Sequence, residues 1–439
     1  MAYCRLRSSP LTSLLLAGAF HVFIALAVFL IGHWELLPNT IDTHGIGITF
    51  SIDSLTYRGL AIDLAETLRN SGISAWAAVP SPFHCRLYSL PFALVGSLVG
   101  YNILAAEPLN LLYYLGILRF VYLLGKEIFD QRAALIATSI VALWPSFLLH
   151  SVQLIRDPLS IFCLLGLLFV ATLLISRELS GKQSVICGVC GASLIGAFWL
   201  ARANMWNVVI TMLAITLLLL TIRMVREKIF LGGDLSTLIF LFVAAVVIPA
   251  HIQSTNLPGI PPPTNAFSFP SAAQPDSTTK PWTRLLKEIT RRRTGFQRSY
   301  VAGSNIDARV RLNNSTDILK YLPRATVIGL FAPFPRMWLH QSGQAGAAAR
   351  VLSALEMSLM YLLYIPAAYC LYHERRRLRM WLTFLVAITS LIALGLVVVN
   401  AGALYRLRYA FWIMLIVIAA EGILLVVTRI RDRGKSRVE

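Results

Sequence analysis

Long apolar runs separated by short polar breaks dominate this chain of 439 residues. Ten of the runs are roughly twenty residues long, the length that an α-helix needs to cross the hydrocarbon core of a bilayer. The pattern therefore predicts ten membrane-spanning helices. They are predicted at Leu11–Ile31, Pro108–Gly125, Ala133–His150, Pro158–Ser176, Val185–Ala201, Met205–Ile222, Leu235–Ala250, Ala349–Tyr372, Trp381–Asn400 and Tyr409–Thr428.

One further apolar stretch, Leu87–Asn102, is short and contains Pro91, Gly96 and Gly100. If it were a full span, every later loop would change sides and the basic cluster Arg375–Arg379 would lie outside. Broken helices occur at membrane depth where they line a cavity. We therefore predict a juxtamembrane or re-entrant helix on the outer side of the membrane.

Basic residues are concentrated in alternate loops. With ten spans, both ends of the chain lie on one side, and every short loop on that side is basic, as the positive-inside rule requires. The expected location is the inner (cell) membrane of a bacterium, with both termini cytoplasmic. The basic residues of these segments are Arg5, Arg7, Lys126, Arg132, Arg177, Lys182, Arg223, Arg226, Lys228, Arg375, Arg376, Arg377, Arg379, Arg429, Arg431, Arg433, Lys435 and Arg437.

Composition agrees with this interpretation. Hydrophobic residues make up 57% of the chain and charged residues 14%, whereas soluble domains average about 45–50% and about 25%. The net charge of +18 does not indicate a nucleic-acid partner, because the basic residues punctuate the apolar runs and form no single face. The predicted fold class is an all-α polytopic membrane protein, with membrane lipids as its surroundings.

The domain organisation follows from these spans. We predict an N-terminal transmembrane module (1–250) that includes a first external loop (32–102), an external region (251–348) that is flexible at 258–281, and C-terminal transmembrane helices (349–439). The basic segment Trp282–Arg298 has two open interpretations: a solvated linker, or a contact with anionic lipid or phosphate head groups.

Two acidic positions on the predicted outer side are candidates for chemistry. Arg156 and Asp157 form the polar break between two apolar runs, and charges at membrane depth usually face a cavity or a partner and mark a functional site. A short hairpin between two spans also needs polar residues, so a structural role stays open. Asp53 and Tyr57 are four residues apart, which places them on one face of a helix; Asp53 could equally be a helix cap.

Other ionisable residues lie inside predicted spans. Arg119 in the second span and Glu356 in the eighth should face the interior of the bundle and find partners there. His21 in the first span is expected to be a hydrogen-bonded core residue.

Several short motifs accompany Asp53. Together they resemble the GT-C class of integral-membrane glycosyltransferases, and most closely the bacterial members of the glycosyltransferase family 39 (protein-mannosyltransferase-like) group. The motifs are Leu143-Trp-Pro-Ser-Phe-Leu-Leu-His-Ser151, Gln153-Leu-Ile-Arg-Asp157-Pro, Tyr321-Leu-Pro-Arg324, Phe331-Ala-Pro-Phe-Pro335 and Asn400-Ala-Gly-Ala-Leu-Tyr-Arg406-Leu-Arg408-Tyr.

The resemblance implies transfer of a sugar from a polyprenyl-phosphate donor to a sugar, lipid or protein acceptor at the outer face of the membrane. Asp53 would be the general base in an inverting displacement, and Asp157 would orient substrate or help to hold a metal ion. Asp53 is followed by Ser54 instead of a second acid, so a divalent metal stays possible and no cofactor is certain.

The leaving group implied by the resemblance is a lipid phosphate, which an arginine fork binds in a bidentate way. Snorkelling at the interface explains any single arginine equally well. His84, just before the predicted re-entrant helix, could contact donor or acceptor or be an ordinary loop residue. The candidates for contact with donor phosphate or substrate are Tyr57, Arg58, His84, Arg156, Arg202, Arg324, Arg406 and Arg408.

Two alternatives stay open at the level of sequence. A polymerase or ligase for O-antigen or exopolysaccharide also has many spans and a large external loop with arginines, but would not need Asp53. A transporter or flippase for a lipid-linked sugar would move its cargo without forming a glycosidic product.

Overall fold

The computed structural model describes residues 10–37, 41–42, 47–48, 52–254, 281–299, 305–338 and 347–435. The predicted flexible stretch 258–281 lies almost entirely outside these residues. The described elements, apart from a 3-10 turn at Ala203–Met205, are α1 (Pro10–His33), β1 (Ile41–Asp42), β2 (Gly47–Ile48), α2 (Ile52–Ala78), α3 (Phe83–Val99), α4 (Ile103–Ile128), α5 (Gln131–Ala142), α6 (Pro145–Ser151), α7 (Asp157–Ser176), α8 (Gly181–Arg202), α9 (Trp206–Glu227), α10 (Gly232–Ser254), α11 (Pro281–Ser299), α12 (Ser315–Phe331), α13 (Pro335–Trp338), α14 (Ala347–His373), α15 (Leu378–Val397), α16 (Ala401–Leu407) and α17 (Tyr409–Lys435).

The predicted all-α polytopic fold is confirmed. Within the described residues, eight stretches are long and apolar enough to cross a membrane, and a bent pair of helices makes a ninth. One of the eight, Gly181–Glu227, is 47 residues long and contains both α8 and α9. Because α8 and α9 each pack against α7 and α10, this stretch folds back on itself as two spans. The arrangement is consistent with the ten predicted spans.

The predicted span Ala133–His150 is not continuous. It is divided into α5 and α6, which meet at an angle of 66°. The division falls at Pro145, the first residue of α6, because proline has no N–H to donate to the preceding turn and its ring clashes there. The bend directs α6 toward the start of α7, where Asp157 lies.

The basic loops that the charge pattern assigns to one side meet at one end of the bundle. Arg177 at the end of α7 forms an ion pair with Glu127 at the end of α4. Two arginines at the start of α15 reach the same corner, since Arg379 Nη1 donates to Glu127 O at 2.6 Å and Arg377 Nη1 to Ile128 O at 3.2 Å. Packing and charge therefore agree on which loops share a side; that this side is cytoplasmic remains a prediction.

The predicted re-entrant segment Leu87–Asn102 corresponds to α3, a 17-residue helix that contains Pro91 and is shorter than a span. The helix predicted to carry Asp53 and Tyr57 on one face is α2, which is broken at Gly72 where φ is +81°. Leu64 of α2 packs with Tyr57 and with Cys85 of α3. The apolar face of α2 is thus covered by α3.

Of the three ionisable residues predicted within spans, two are buried with partners and one is exposed. His21 is fully buried and contacts Glu107 at 2.7 Å and Ser151 at 2.9 Å, as expected of a hydrogen-bonded core residue. Glu356 is buried with four donors around it, and its prediction is also confirmed. Arg119 was predicted to face the interior, which is wrong: it is exposed and lies over the Tyr122 ring of its own helix.

Candidate functional site

Four charged side chains from distant parts of the chain meet at the end of the bundle opposite the basic loops. Arg406 lies at their centre: its Nη2 donates to Asp53 Oδ2 at 2.6 Å, and its Nε forms an ion pair with Asp157 Oδ2 at 3.3 Å. Asp157 Oδ1 accepts a hydrogen bond from Arg202. The two aspartates that the sequence singled out are therefore joined through one guanidinium.

Burial differs across this charged centre. The side chains of Asp157 and Arg202 are only 3% and 4% exposed, whereas those of Asp53 and Arg406 are 27% and 22% exposed. The carboxylates of Asp157 and Asp53 raise the pKa of Arg406 above its ordinary value, so this arginine stays charged. Asp53 is consequently the accessible carboxylate and Asp157 the buried one.

The segments that carry these residues are short and capped. Asp157 is the first residue of α7, next to Pro158, which suits the first turn of a helix. Arg406 lies on the seven-residue α16, whose first turn is capped by Asn400 accepting from Ala403 N at 2.9 Å. Asp53 lies in the first turn of α2. Each charged group thus sits at a helix end instead of along a span.

A buried carboxylate holds two of these segments together. Glu356 of α14 accepts hydrogen bonds from Trp144 Nε1 at 3.0 Å and from the Ser146 backbone N–H at 2.6 Å, at the bend between α5 and α6. It also accepts from the hydroxyl of Tyr405, the residue before Arg406. Glu356 therefore fixes α16 relative to the segment that leads to Asp157.

The end of this segment that is nearer to Asp157 is held by residues of α1, α3 and α4. Ser151 at the end of α6 contacts His21, which is paired with Glu107. The hydroxyl oxygen of Tyr88 of α3 lies 3.1 Å from Ile155 O and 2.8 Å from Asn110 Oδ1, within hydrogen-bond reach of both. Hydrogen bonds from α1, α3 and α14 therefore hold the chain on the way to Asp157, and such pre-organisation is what a reactive site needs.

Arg156 is the remaining cation of the centre. After burial, its positive charge is the next largest influence on the pKa of both Tyr57 and His84, and it lowers both. Within the described part of the chain its guanidinium has neither an ion pair nor a hydrogen bond, and its Nε is buried without a partner. Among the described residues, the centre contains three arginines and two aspartates, and Arg156 is the arginine of this group without an ion pair.

Tyr57 and His84 lie against each other beside these charges. Their ring centroids are 4.3 Å apart in an edge-on arrangement. Burial raises the pKa of the Tyr57 hydroxyl. Burial, with the charges of Arg156 and Arg202, lowers the pKa of His84 to about 3, so its imidazole is neutral. Both ring nitrogens of His84 are buried without a hydrogen-bond partner among the described residues.

The neutral state of His84 predicts a pH effect on stability. The unfolded chain gains a proton at His84 near its ordinary value of 6.5, but the folded protein gains it only near 3. The free energy of unfolding should therefore fall as the pH drops below 6.5, by about 2 kcal/mol at about pH 5. In His84→Gln this component is absent, so the difference in melting temperature between pH 7 and pH 5 should shrink. His33→Gln, which removes an exposed imidazole, is the control; an equal change in both variants would contradict the prediction.

Three of the predicted arginines are not brought to the centre. Arg58 donates to Tyr101 O at 2.5 Å, between α2 and the residues before α4. Arg324 pairs with Asp307 at 2.9 Å, which lowers the pKa of that carboxyl group. No contact in the described structure links either of them with Asp53 or Asp157. Their contact with donor phosphate or substrate stays a prediction.

Arg408 has a different environment from Arg406, although it is only two residues further on. It is fully buried, lies 3.9 Å from the Trp412 ring and reaches Gly329 O at 3.5 Å. Tyr364 and Tyr361 donate to the next two carbonyls of α12 at 2.8 and 2.6 Å. The last carbonyls of a helix lack internal partners and carry partial negative charge, so Arg408 stabilises the end of α12.

Among the described residues no group of three or more His, Cys, Asp or Glu could hold a metal ion. Each aspartate also carries a guanidinium partner that a cation would have to displace.

Fold and site together define an all-helical membrane protein with an aspartate–arginine centre at one end of the bundle. A family model described as "Oligosaccharyl transferase STT3, N-terminal" matches residues 114–273, a range that includes Arg156, Asp157 and Arg202. This match confirms the predicted resemblance to membrane glycosyltransferases of the GT-C class. No curated protein sequence matches the chain at a significant level.

Solved structures give further similarities. The chain is 16% identical to the oligosaccharyltransferase AglB of Archaeoglobus fulgidus in complex with an inhibitory peptide and a dolichol-phosphate, with a TM-score of 0.48, over 97% of this chain and 52% of that one. The apo form of the Archaeoglobus fulgidus enzyme gives 15% identity, a TM-score of 0.46 and the same coverage. ArnT from Cupriavidus metallidurans bound to undecaprenyl phosphate gives 11% identity and a TM-score of 0.38, over 92% of this chain and 77% of that one. The chain thus spans about half the length of the archaeal enzyme.

Proposed function

We propose that the protein is a membrane glycosyltransferase that moves a sugar from a polyprenyl-phosphate donor to an acceptor hydroxyl at the outer face of the membrane. One observation supports this most directly: Arg406 joins Asp53 and Asp157, while the guanidinium of Arg156 beside them has no ion pair or hydrogen bond among the described residues. The family match over residues 114–273 supports the enzyme class.

Asp53 is the general base in this proposal. Its carboxylate is the more exposed of the two and lies in the first turn of α2, where an acceptor can reach it. As the acceptor oxygen attacks the anomeric carbon, its proton passes to Asp53 and the bond from that carbon to the phosphate oxygen breaks. A single displacement of this kind inverts the configuration at the anomeric carbon.

The leaving lipid phosphate takes the electron pair of the broken bond and gains one negative charge. A cation that is already in place where this charge develops lowers the barrier. The guanidinium of Arg156 has neither an ion pair nor a hydrogen bond to any residue that the structure describes, and its neighbours Arg202 and Arg406 add positive charge. Asp157 has a positioning role, because it keeps Arg202 and Arg406 in place.

Replacing Arg156 tests the donor side of the proposal. With Arg156→Gln, we expect binding of undecaprenyl phosphate to weaken at least tenfold, since a charge-assisted bidentate contact contributes about 1.5–3 kcal/mol. The protein should keep its melting temperature, because this guanidinium has no partner within the described structure. Binding can be measured by titrating the lipid into purified protein in neutral detergent.

Arg69→Gln is the matched control for this experiment. It removes an exposed arginine of the same outer region, whose contact is a 3.4 Å hydrogen bond to the Tyr101 hydroxyl. If both variants bind the lipid as the unchanged protein does, Arg156 does not hold the donor phosphate.

The two alternatives that the sequence leaves open can be distinguished from the proposed enzyme by experiment. A lipid-linked-sugar flippase would move labelled donor across vesicles without a new glycosidic bond, whereas the proposed enzyme forms one on the outer side. A polymerase or ligase would not need Asp53. The sugar, the acceptor and the bacterial inner membrane as the location remain proposals.

A further inference from the structure

A cavity lined by basic residues lies apart from the aspartate–arginine centre. It has a volume of about 620 Å³ and is formed between α11 and the segment 305–314. Three arginines line it, namely Arg293, Arg309 and Arg311. Neither Asp nor Glu is among its lining residues in the described structure.

The walls of this cavity are held in place by hydrogen bonds. Arg293 is 2% exposed and donates to Val310 O at 3.1 Å, to Leu396 O at 2.8 Å and to Asp307 O at 2.9 Å. Gln297 of α11 donates to Ala308 O at 2.8 Å. The basic segment is therefore a helix docked onto the end of α15, and its interpretation as a solvated linker is wrong over 281–299.

The positive charge of the cavity is not neutralised from within. Arg309 and Arg311 are exposed, and neither has an ion pair or a hydrogen bond from its side chain to any described residue. Asp307 lies behind the wall, where its carboxylate is occupied by Arg324 at 2.9 Å and by the Tyr321 hydroxyl at 3.0 Å. A preformed concave surface with uncompensated arginines is suited to an anion.

The cavity lies at the same end of the bundle as the aspartate–arginine centre. The segment that forms its wall is joined to the end of α15, since Ile306 N donates to Val399 O at 2.8 Å. The next residue, Asn400, pairs with Asn305 and caps α16, which carries Arg406. A molecule bound in the cavity would therefore lie on the side from which Asp53 is accessible.

We propose that this cavity is a phosphate-binding site, with Arg309 and Arg311 as its ligands and Arg293 as the charge at its base. The bound phosphate belongs either to a lipid head group or to a phosphorylated glycan. Its role is to hold an anionic acceptor while the donor occupies the site at Arg156, and this role rests on the proposed function. The site itself does not.

The test compares two doubly substituted proteins that lose the same charge. Arg309→Gln with Arg311→Gln removes the proposed ligands, whereas Lys287→Gln with Lys320→Gln removes two exposed cations of α11 and α12 that do not line the cavity. Glucose 1-phosphate is titrated into each protein in neutral detergent. In a second arm, the proteins are reconstituted with phosphatidylcholine and phosphatidylglycerol, and retained phosphatidylglycerol is counted by native mass spectrometry.

We expect the arginine variant to lose at least tenfold in affinity for one of the two probes, and the lysine variant to keep it, because charge-assisted contacts dominate such binding. Loss for glucose 1-phosphate identifies a glycan phosphate, and loss for phosphatidylglycerol alone identifies a lipid head group. Equal behaviour of both variants, or no binding of either probe by the unchanged protein, overturns the proposal. Binding of undecaprenyl phosphate in the same preparation reports on the donor site separately, so failure of the proposed function would be seen independently.

Discussion

Asp53→Asn is expected to reduce sugar transfer by about 10²- to 10⁴-fold, the usual contribution of a general base. An amide cannot take the proton of the acceptor hydroxyl, although it has the size and shape of the carboxylate. Transfer should be measured in vesicles with a labelled polyprenyl-phosphate sugar, and the fold should be checked by the melting temperature. The side chain is partly exposed and its partner Arg406 keeps Asp157, so the variant should stay folded.

The control for this prediction is Asp63→Asn. Asp63 lies on the same helix and is exposed, and its substitution should leave transfer unchanged. Retained activity in Asp53→Asn would remove the base from the proposed mechanism. It would also favour the polymerase or ligase alternative, which does not need this residue.

The proximity of Asp53 and Asp157 could be anticipated, because the charge pattern of the loops predicts that both lie on one side of the membrane. What the sequence could not distinguish is which arginine lies between them. Arg406 and Arg408 are two residues apart on one short stretch, yet one bridges the aspartates and the other closes the end of α12. The roles of Arg406 and Arg408 differ because α12 packs beside Arg408, and no local sequence pattern indicates this packing.

The supporting residues were harder to predict than the charged ones. Glu356 was recognised as an interior carboxylate because charge within a span needs partners. Its actual partners, Trp144, Ser146 and Tyr405, lie more than forty residues away in sequence. Tyr88 was missed altogether, since a tyrosine in an apolar helix looks like ordinary core. The break at Pro145 was the one available signal that the chain turns toward the site.

The second large effect is expected at Asp157, and it concerns stability as well as activity. Asp157→Leu leaves Arg202, which is 4% exposed, without its carboxylate. Removing one partner of a buried ion pair typically costs about 3–5 kcal/mol, because the other charge remains desolvated. We expect a clear drop in the melting temperature and loss of transfer. Asp307→Asn is the comparison, because asparagine tolerates the φ of +50° at this position and the pair with Arg324 is partly exposed, so its loss should cost less than about 1 kcal/mol.

A double substitution separates the two roles of Asp157. Asp157→Leu combined with Arg202→Met removes both buried charges, and apolar replacement of a whole buried pair is often neutral or stabilising. The melting temperature should therefore recover toward that of the unchanged protein. Sugar transfer should stay lost, because Arg406 has lost its buried partner Asp157 and the proposed donor site has lost the cation of Arg202. Recovery of transfer along with stability would mean that the buried pair serves the fold alone. Failure to recover stability would mean that Asp157 and Arg202 do not stabilise the protein as a pair, and the assignment of Asp157 as the residue that positions both arginines would fall.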